Sequence, residues 1–485
     1  MKQFIRKKLD LLLIIFFLLL VGSIYAYISL ASHNHFQTFG WDLGYFDQII
    51  WLISRGIFPF STLSGVNLIA GHFSPILLAF APLYWIWADP RILLIVQSFL
   101  VVYAALPLYL IAKMKTTNLF FPISVVLSYL FFIGTQWTIL NEFHEMAVVP
   151  ISLSFLFYSL EKNRRLLFWV TLLILFLTKE EMSLLIAAIG LMVWLYFKKS
   201  HVGLGLFLFG IVFFFFLTNF FMPLVSEKGE YYQSHLSNMA KTPSDFFLKI
   251  ITDPLFTLKS LINPAEKGKT FLESFLAFGL LPVFAPYPVM IPLAEQFLTR
   301  FLYTGPQFTF WQNVNHHAAP SAILLALSSI YGMKRLQSKF GKYKRSILWI
   351  CSLALLFSTI IQDVLLKGPI HSIFKKQLYE TLSWMKDNYD VINKVQKSVD
   401  LAAQNNLVPH LSQRRKIYLL PEIDNAEEIV VDLHNGPNKY SPMTYEEMRD
   451  LVQELLTSKR YSIVYQKGDA MLLQRNYKTD ITKSK

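Results

Sequence analysis

The chain has 485 residues, 54% of them hydrophobic and only 16% charged, with 43 phenylalanines. One soluble core cannot bury that much apolar surface, so the composition excludes an ordinary soluble domain and leaves a polytopic membrane protein. The formal net charge of +13 does not indicate nucleic acid, because the Lys and Arg residues sit in small clusters between apolar runs, as in cytoplasmic loops.

Lys2, Arg6, Lys7 and Lys8 precede the apolar run Leu11 to Leu30, which is long enough to span and has no clear small-residue cleavage site after it. It reads as a signal anchor with a cytoplasmic N-terminus. Phe39 to Gly56 follows, reading FGWDLGYFDQIIWLISRG, with Leu43, Phe46, Ile50 and Ile53 at helical spacing and Asp47, Gln48, Ser54 and Arg55 largely on the other side. Such a helix is too short and too polar to cross, which predicts a surface helix with Asp42 and Asp47 in or near the headgroups. Asp42 also fits the N-cap of that helix.

Further apolar runs cover roughly 73–88, 91–112, 119–139, 146–160, 166–178, 182–197, 202–223, 272–294, 318–333 and 346–366. If every run crossed, Lys113, Lys115 and the cluster Lys162, Arg164, Arg165 would lie outside, against the positive-inside rule. The runs 73–88 and 272–294 are interrupted by prolines, and as re-entrant or interfacial segments they restore the rule. About nine true spans then remain of about 9–11 membrane segments. Lys198, Lys199 and the block Lys334 to Arg345 fall inside, and the tail falls outside. Asp42/Asp47/His72, Glu142/His144/Glu145, Glu180/Glu181, the loop Ser226 to Thr270 and His316/His317 all come out on the external side. Charged residues at span ends are costly to bury and mark candidate sites. Each of them can equally end a helix in the headgroups, Lys179 can simply pair with Glu180, and His316 and His317 read as well as interfacial filler. Cys351 lies inside an apolar run, and as the only cysteine it excludes an intramolecular disulfide and a cysteine metal cluster.

The tail changes texture. A helix is expected over Ile373 to Lys394, strands at Ser398 to Ala403, Ile417 to Leu420 and Glu428 to Leu433, and a second helix at Thr444 to Thr457. A hairpin, Tyr461 to Val464 and Ala470 to Leu473, turns at Lys467-Gly468-Asp469. The expected fold is therefore an α-helical polytopic membrane protein, residues 1–366 with a first external loop at 31–72, followed by a small external α/β domain at 367–485.

FGWDLGYFDQIIWLISRG, LIAGHFSPILLAFAPLYWI, NEFHEMAVVPISL and LTKEEMSLLIAAIGLMV, with DLAAQNNLVPHLSQRRKIYLLP and YSIVYQKGDAMLLQR in the tail, resemble in order the signatures of the predicted membrane protein family of unknown function 2079. That family is grouped with the GT-C glycosyltransferases, polytopic enzymes that take a sugar from a polyprenyl-phosphate carrier on the external face. The resemblance implies an essential acidic residue in the first external loop, on a surface helix ending in glycine, a frame that Asp42 and Gly56 fit. The chain departs from the GT-C pattern at Leu43, where a second acidic residue is common, and His72-Phe73-Ser74-Pro75 stands only loosely where His-Pro-Pro would be.

Moving a sugar from a lipid phosphate needs a base for the acceptor or a cation for the leaving phosphate. Asp42 is the expected base or acceptor-orienting group, with Asp47 as the second catalytic candidate. Arg55 or Lys179 would hold the phosphate, and His72, Glu142, His144 and Glu181 would contact sugar or acceptor. The acidic residues can alternatively bind a divalent metal, although a His/Glu collection without fixed spacing is weak evidence for one. The expected partners are the lipid bilayer of the plasma membrane and a polyprenyl-phosphate sugar donor, with an envelope acceptor. A transporter or flippase would use the same charges as a pathway, and a non-catalytic envelope scaffold is the third reading.

Overall fold

A computed structural model describes residues 2–231, 240, 242–305, 308–435 and 442–476. The chain begins with α1 (Lys2–Asn34), and the first loop then folds as a short π-helical turn, Gly40–Gly44, running into α2 (Tyr45–Ser54). A small antiparallel pair, β1 (Phe60–Ser61) and β2 (Val66–Asn67), closes the loop. The bundle continues through α3 (Arg91–Tyr103), α4 (Ala105–Lys115), α5 (Phe120–Phe131), α6 (Ile133–Leu140), α7 (Val148–Lys162), α8 (Arg165–Phe176), α9 (Met182–Leu195) and α10 (Ser200–Phe216). After α11 (Pro243–Thr252), α12 (Pro254–Ile262) and α13 (Glu266–Ala277) come α14 (Tyr287–Phe301), α15 (Ala319–Lys339) and α16 (Lys344–Leu366).

Among the described residues, four helical stretches are long and apolar enough to cross a membrane: Lys8–Asn34, Arg91–Lys115, Ser200–Val225 and Gly341–Leu366. The pair α5 and α6 makes a fifth if its 52° bend lies within one span. The remaining apolar runs form shorter helices that complete the bundle. The two proline-rich runs are broken as expected: 73–88 becomes a 3-10 turn, Pro75–Phe80, and a single helical turn, Leu83–Ile86, while 272–294 is interrupted by the 3-10 turn Leu281–Phe284. Helices α9 and α10 approach so closely that a methyl group on Gly210 would stand 2.3 Å from the Ser183 carbonyl oxygen, the small-residue packing that helices in lipid favour.

The tail is a five-stranded sheet in the order β4-β3-β5-β7-β6, built from β3 (Leu401–Ala403), β4 (Ile417–Leu419), β5 (Glu428–Asp432), β6 (Tyr461–Lys467) and β7 (Ala470–Arg475). The first three strands run parallel and the β6–β7 hairpin joins antiparallel. Of the helix expected over Ile373 to Lys394, only α17 (Ser383–Ile392) is regular, preceded by 3-10 turns. Helix α18 (Tyr445–Thr457) starts one residue later than expected because Thr444 serves as its N-cap in a capping box with Glu447. One face of the sheet packs on α18 through Met448, Val452 and Leu455. The core on the other face includes Phe36 and Leu63 from the first loop beside Met385, Val391 and Val408. The two parts of the chain therefore share a core.

That sharing corrects the expectation for α2. The helix exists, yet it does not lie on a surface with a solvated polar face: Asp47 and Gln48 are fully buried, because the tail covers them. Of the loop Ser226 to Thr270, residues 232–239 and 241 lie outside the described residues, and the rest is largely helical.

Candidate functional site

The Gly40–Gly44 turn is held from two sides. On one side Glu142 accepts hydrogen bonds from the amides of Phe39 at 2.9 Å and Leu43 at 3.1 Å. Glu142 thus does the capping that the sequence suggests for Asp42. It sits at φ +124°, a conformation that costs a non-glycine residue on the order of 1–3 kcal/mol and persists only where its surroundings enforce it. The enforcing groups are those two amides and the Gln97 side chain, which donates to the Glu142 carbonyl and accepts from the His144 amide. On the other side Gly40 donates to Asn405 of the tail at 2.9 Å, and Gly44 packs where any Cβ would meet Val408 at 2.8 Å.

With the turn fixed in this way, Asp42 lines a cavity of about 460 Å³ together with His72, His144, Lys179, His316 and His317, walled by Trp41, Tyr45, Phe46 and Phe310. Four of the eight expected site residues thus converge from three loops, Asp42 and His72 both coming from the first. Rings form one wall: His144 stacks on His316 at 3.3 Å, His317 lies 4.2 Å from His316, and Phe310 stacks on His317 at 4.2 Å. Arg300 fixes the loop that carries this wall, donating to the carbonyls of Phe310, Trp311 and Gln312 and to Asn313 Oδ1.

A family model described as a predicted membrane protein, DUF2079, matches residues 32–473. The chain belongs to this family. No curated protein matches it. Among solved structures, ArnT from Cupriavidus metallidurans in the apo state is similar, with 12% sequence identity and a TM-score of 0.47 over 95% of this chain and 97% of that one.

In this DUF2079 protein the electrostatics of the cavity come chiefly from Lys179 and its carboxylates. Burial disfavours the Lys179 charge, but Glu181, Glu145 and Glu180 together hold its pKa above the ordinary lysine value. Among the described residues its one ion pair, to Glu181 at 3.5 Å, involves a carboxylate that is 40% exposed and so contributes little; the buried pair Glu145 and Glu180 matters more. Glu180 is pushed up by burial yet ends at about 2, because His72 and Lys179 outweigh that effect. It accepts from Tyr231 and the Phe73 amide and lies 3.0 Å from His72 Nδ1, so it aims the His72 ring at the cavity. The sequence flags the Glu180/Glu181 pair but cannot rank its members; the structure puts Glu180 inside and leaves Glu181 off the cavity wall.

Arg55 does not line the cavity either: it stands exposed at the C-terminal end of α2. Asp47, itself on α2, also lies off the cavity wall and is fully buried. Tyr84 and Ser412 each donate to it at 2.6 Å, and Gln413 does so at 3.1 Å. Asp47 thus lies apart from the cavity in which it was expected and joins the first loop to the tail. Gln48 adds a bond to the carbonyl of Arg414 at 3.4 Å, and Thr62 pairs with Ile417. Among the described residues no three His, Cys, Asp or Glu side chains gather as metal ligands.

Asp47 makes a pH prediction. Burial raises its pKa from 3.8 to about 6, against the three hydrogen bonds that favour the carboxylate. A carboxyl with a raised folded-state pKa contributes stability that is present below the unfolded value and is lost as pH rises through the folded one. The melting temperature of wild type relative to Asp47→Asn is thus expected to fall between about pH 4 and pH 6 and to stay level above. A constant difference across that range, read by a thermal melt in detergent, would contradict the assignment.

Proposed function

We propose that this protein is a membrane glycosyltransferase whose reaction site is the Asp42 cavity, taking a sugar from a polyprenyl-phosphate donor to an envelope acceptor on the external face. The observation that carries the reading is the convergence of a carboxylate, a buried charged lysine and cavity-facing imidazoles on one polar cavity. Lys179 supplies what a leaving lipid phosphate needs, a positive charge in a low-dielectric wall, fixed before the reaction begins. Asp42 orients the acceptor hydroxyl or draws off its proton as the new bond forms at the sugar. His72, held by Glu180, and His144 are placed to hydrogen-bond the sugar or the acceptor. The stacked wall His316, His317 and Phe310 offers flat faces against which a sugar ring can pack.

The frame of Asp42 and Gly56, which resembles the GT-C pattern despite the departures at Leu43 and at His72-Phe73-Ser74-Pro75, supports the same reading. Glu142 passes from a substrate contact to a positioning residue, since both amides of the Asp42 turn end on its carboxylate. Arg55 and Glu181 lie off the cavity wall, Glu181 acting only through Lys179.

The sidedness has its own test. In a Cys351→Ser background, single cysteines at Lys228, Glu422 and Lys339 are challenged with an impermeant thiol reagent on intact cells. Labelling is expected at positions 228 and 422 and not at 339. Labelling at 339 alone would put the cavity on the cytoplasmic face and remove the external donor and acceptor.

A further inference from the structure

The turn between α15 and α16 carries a cluster of charge that the Asp42 cavity does not use. Lys334, Arg335, Lys339, Lys342, Lys344 and Arg345 put six cations into twelve residues, and no Asp or Glu occurs from Gln296 to Gln362. All six are exposed, and among the described residues none of them forms an ion pair. The cations that end α4 are compensated instead: Lys113 lies 3.0 Å from Asp10 and Lys115 lies 2.8 Å from Glu161. Local structure does not offset the charge either. Lys344 and Arg345 open α16, whose first turn holds no acidic residue, so the positive end of the helix dipole adds to their repulsion.

The cluster is held in shape. A 3-10 turn, Gly341–Tyr343, links the two helices, and Gln337 ties them by donating to the Lys344 carbonyl at 3.0 Å. The amides of Phe340 and Tyr343 close on the carbonyls of Leu336 at 2.9 Å and Phe340 at 2.8 Å. Like charges fixed on a tight turn cannot relax by spreading apart, so they call for a counter-charge from outside.

The position of the turn says what that counter-charge is. The stretch Gly341–Leu366 is long enough to cross a membrane, which puts a turn at its start among the headgroups. Phe340 and Tyr343 stand exposed between the cations, with Lys339 and Lys342 over their rings. Two residues before Lys334, the broken run 272–294 docks on α15: a Cβ at Gly332 would clash with the Leu281 carbonyl, and Arg335 donates to the Ala285 carbonyl at 3.1 Å. That contact leaves Val283, Phe284 and Tyr287 exposed next to the basic cluster. A soluble anion gains nothing from such apolar side chains, whereas a phospholipid brings a phosphate for the cations and acyl chains for the apolar turn.

We infer that the α15–α16 turn is a binding site for anionic phospholipid, with the headgroup among Lys339, Lys342, Lys344 and Arg345 and the acyl chains against Val283, Phe284 and Tyr287. The inference is independent of the transfer reading.

Full-length protein in detergent is mixed with phosphatidylglycerol or with phosphatidylcholine of the same chains, and native mass spectrometry reads the lipid retained. A cation at an anionic surface contributes about fivefold in affinity. Wild type is therefore expected to retain phosphatidylglycerol over phosphatidylcholine by on the order of tenfold or more, and the preference should shrink as salt is raised. Lys339→Gln, Lys342→Gln, Lys344→Gln and Arg345→Gln combined should bring the ratio near one. Lys162→Gln, Arg164→Gln and Arg165→Gln combined, at the turn between α7 and α8, should leave most of it. Equal retention of the two lipids by wild type, an unchanged ratio in the first variant, or an equal loss in the second would overturn the inference. Displacement of phosphatidylglycerol by inorganic phosphate at matched ionic strength would make the occupant a soluble anion and overturn it too. The substituted side chains are exposed, so the fold is expected to hold; if the fourfold variant does not fold, Lys342→Gln with Lys344→Gln is held to the same criterion.

Discussion

Asp42→Asn is expected to abolish sugar transfer from a polyprenyl-phosphate donor while leaving expression and melting temperature near wild type. The substitution is nearly isosteric and removes only charge and proton affinity. Its effect on folding should be small, because the amides of the Asp42 turn are capped by Glu142 and by Asn405. A residue that orients or deprotonates the acceptor contributes typically on the order of a hundred- to ten-thousand-fold in rate. Glu142→Ala should show the complementary pattern, a partial loss of transfer with a lower melting temperature, since it frees the turn without touching the reacting groups. Full transfer by Asp42→Asn would remove Asp42 from the site.

Lys179→Met should cost both activity and stability. Lys179 is the buried cation that balances Glu180 and Glu145, which are 2% and 0% exposed. Removing one member of a buried charge group leaves the others uncompensated, at a cost of about 3–5 kcal/mol. Glu180 keeps His72 as a partner, so the lower end of that range is expected. Loss of a fixed charge aimed at a leaving group reduces turnover on the order of a hundred- to a thousand-fold. Lys179→Arg should recover most of the stability, because the charge stays in place. It should recover less of the transfer, because the guanidinium reaches further and is planar. The readouts are a thermal melt and a transfer assay on the same preparation; a stable, fully active Lys179→Met would contradict the role.

The sequence carried the broad class plainly, because apolar runs and basic clusters report on lipid and sidedness without any tertiary information. It also marked Asp42, His72, His144 and Lys179, since charges at the ends of apolar runs stand out by composition alone. The burial of Asp47 was not legible, for a physical reason. Its partners Ser412 and Gln413 lie in the tail, more than three hundred residues away, and helical periodicity cannot tell a face covered by a distant domain from a solvated one. The same blindness hid the choice between Glu180 and Glu181, which is made by a half-turn of backbone that puts one carboxylate under His72 and the other outside. His316 and His317 read as interfacial filler until the loop clamped by Arg300 stacks them against His144. In the tail, strands and the capping box were legible because they rest on local signals, while the break in the helix expected from Ile373 onward was not.

The account stands most directly on where a phosphate-bearing lipid binds. A polyprenyl phosphate carrying a diazirine close to the phosphate, photolysed with the full-length protein in nanodiscs, reports this by peptide mapping. Cross-links are expected on the segments 63–72 and 309–317, competed by unlabelled polyprenyl phosphate but not by the corresponding alcohol, and reduced in Lys179→Met. Cross-links confined to the outer faces of α1 and α16, indifferent to competition and to Lys179, would contradict it.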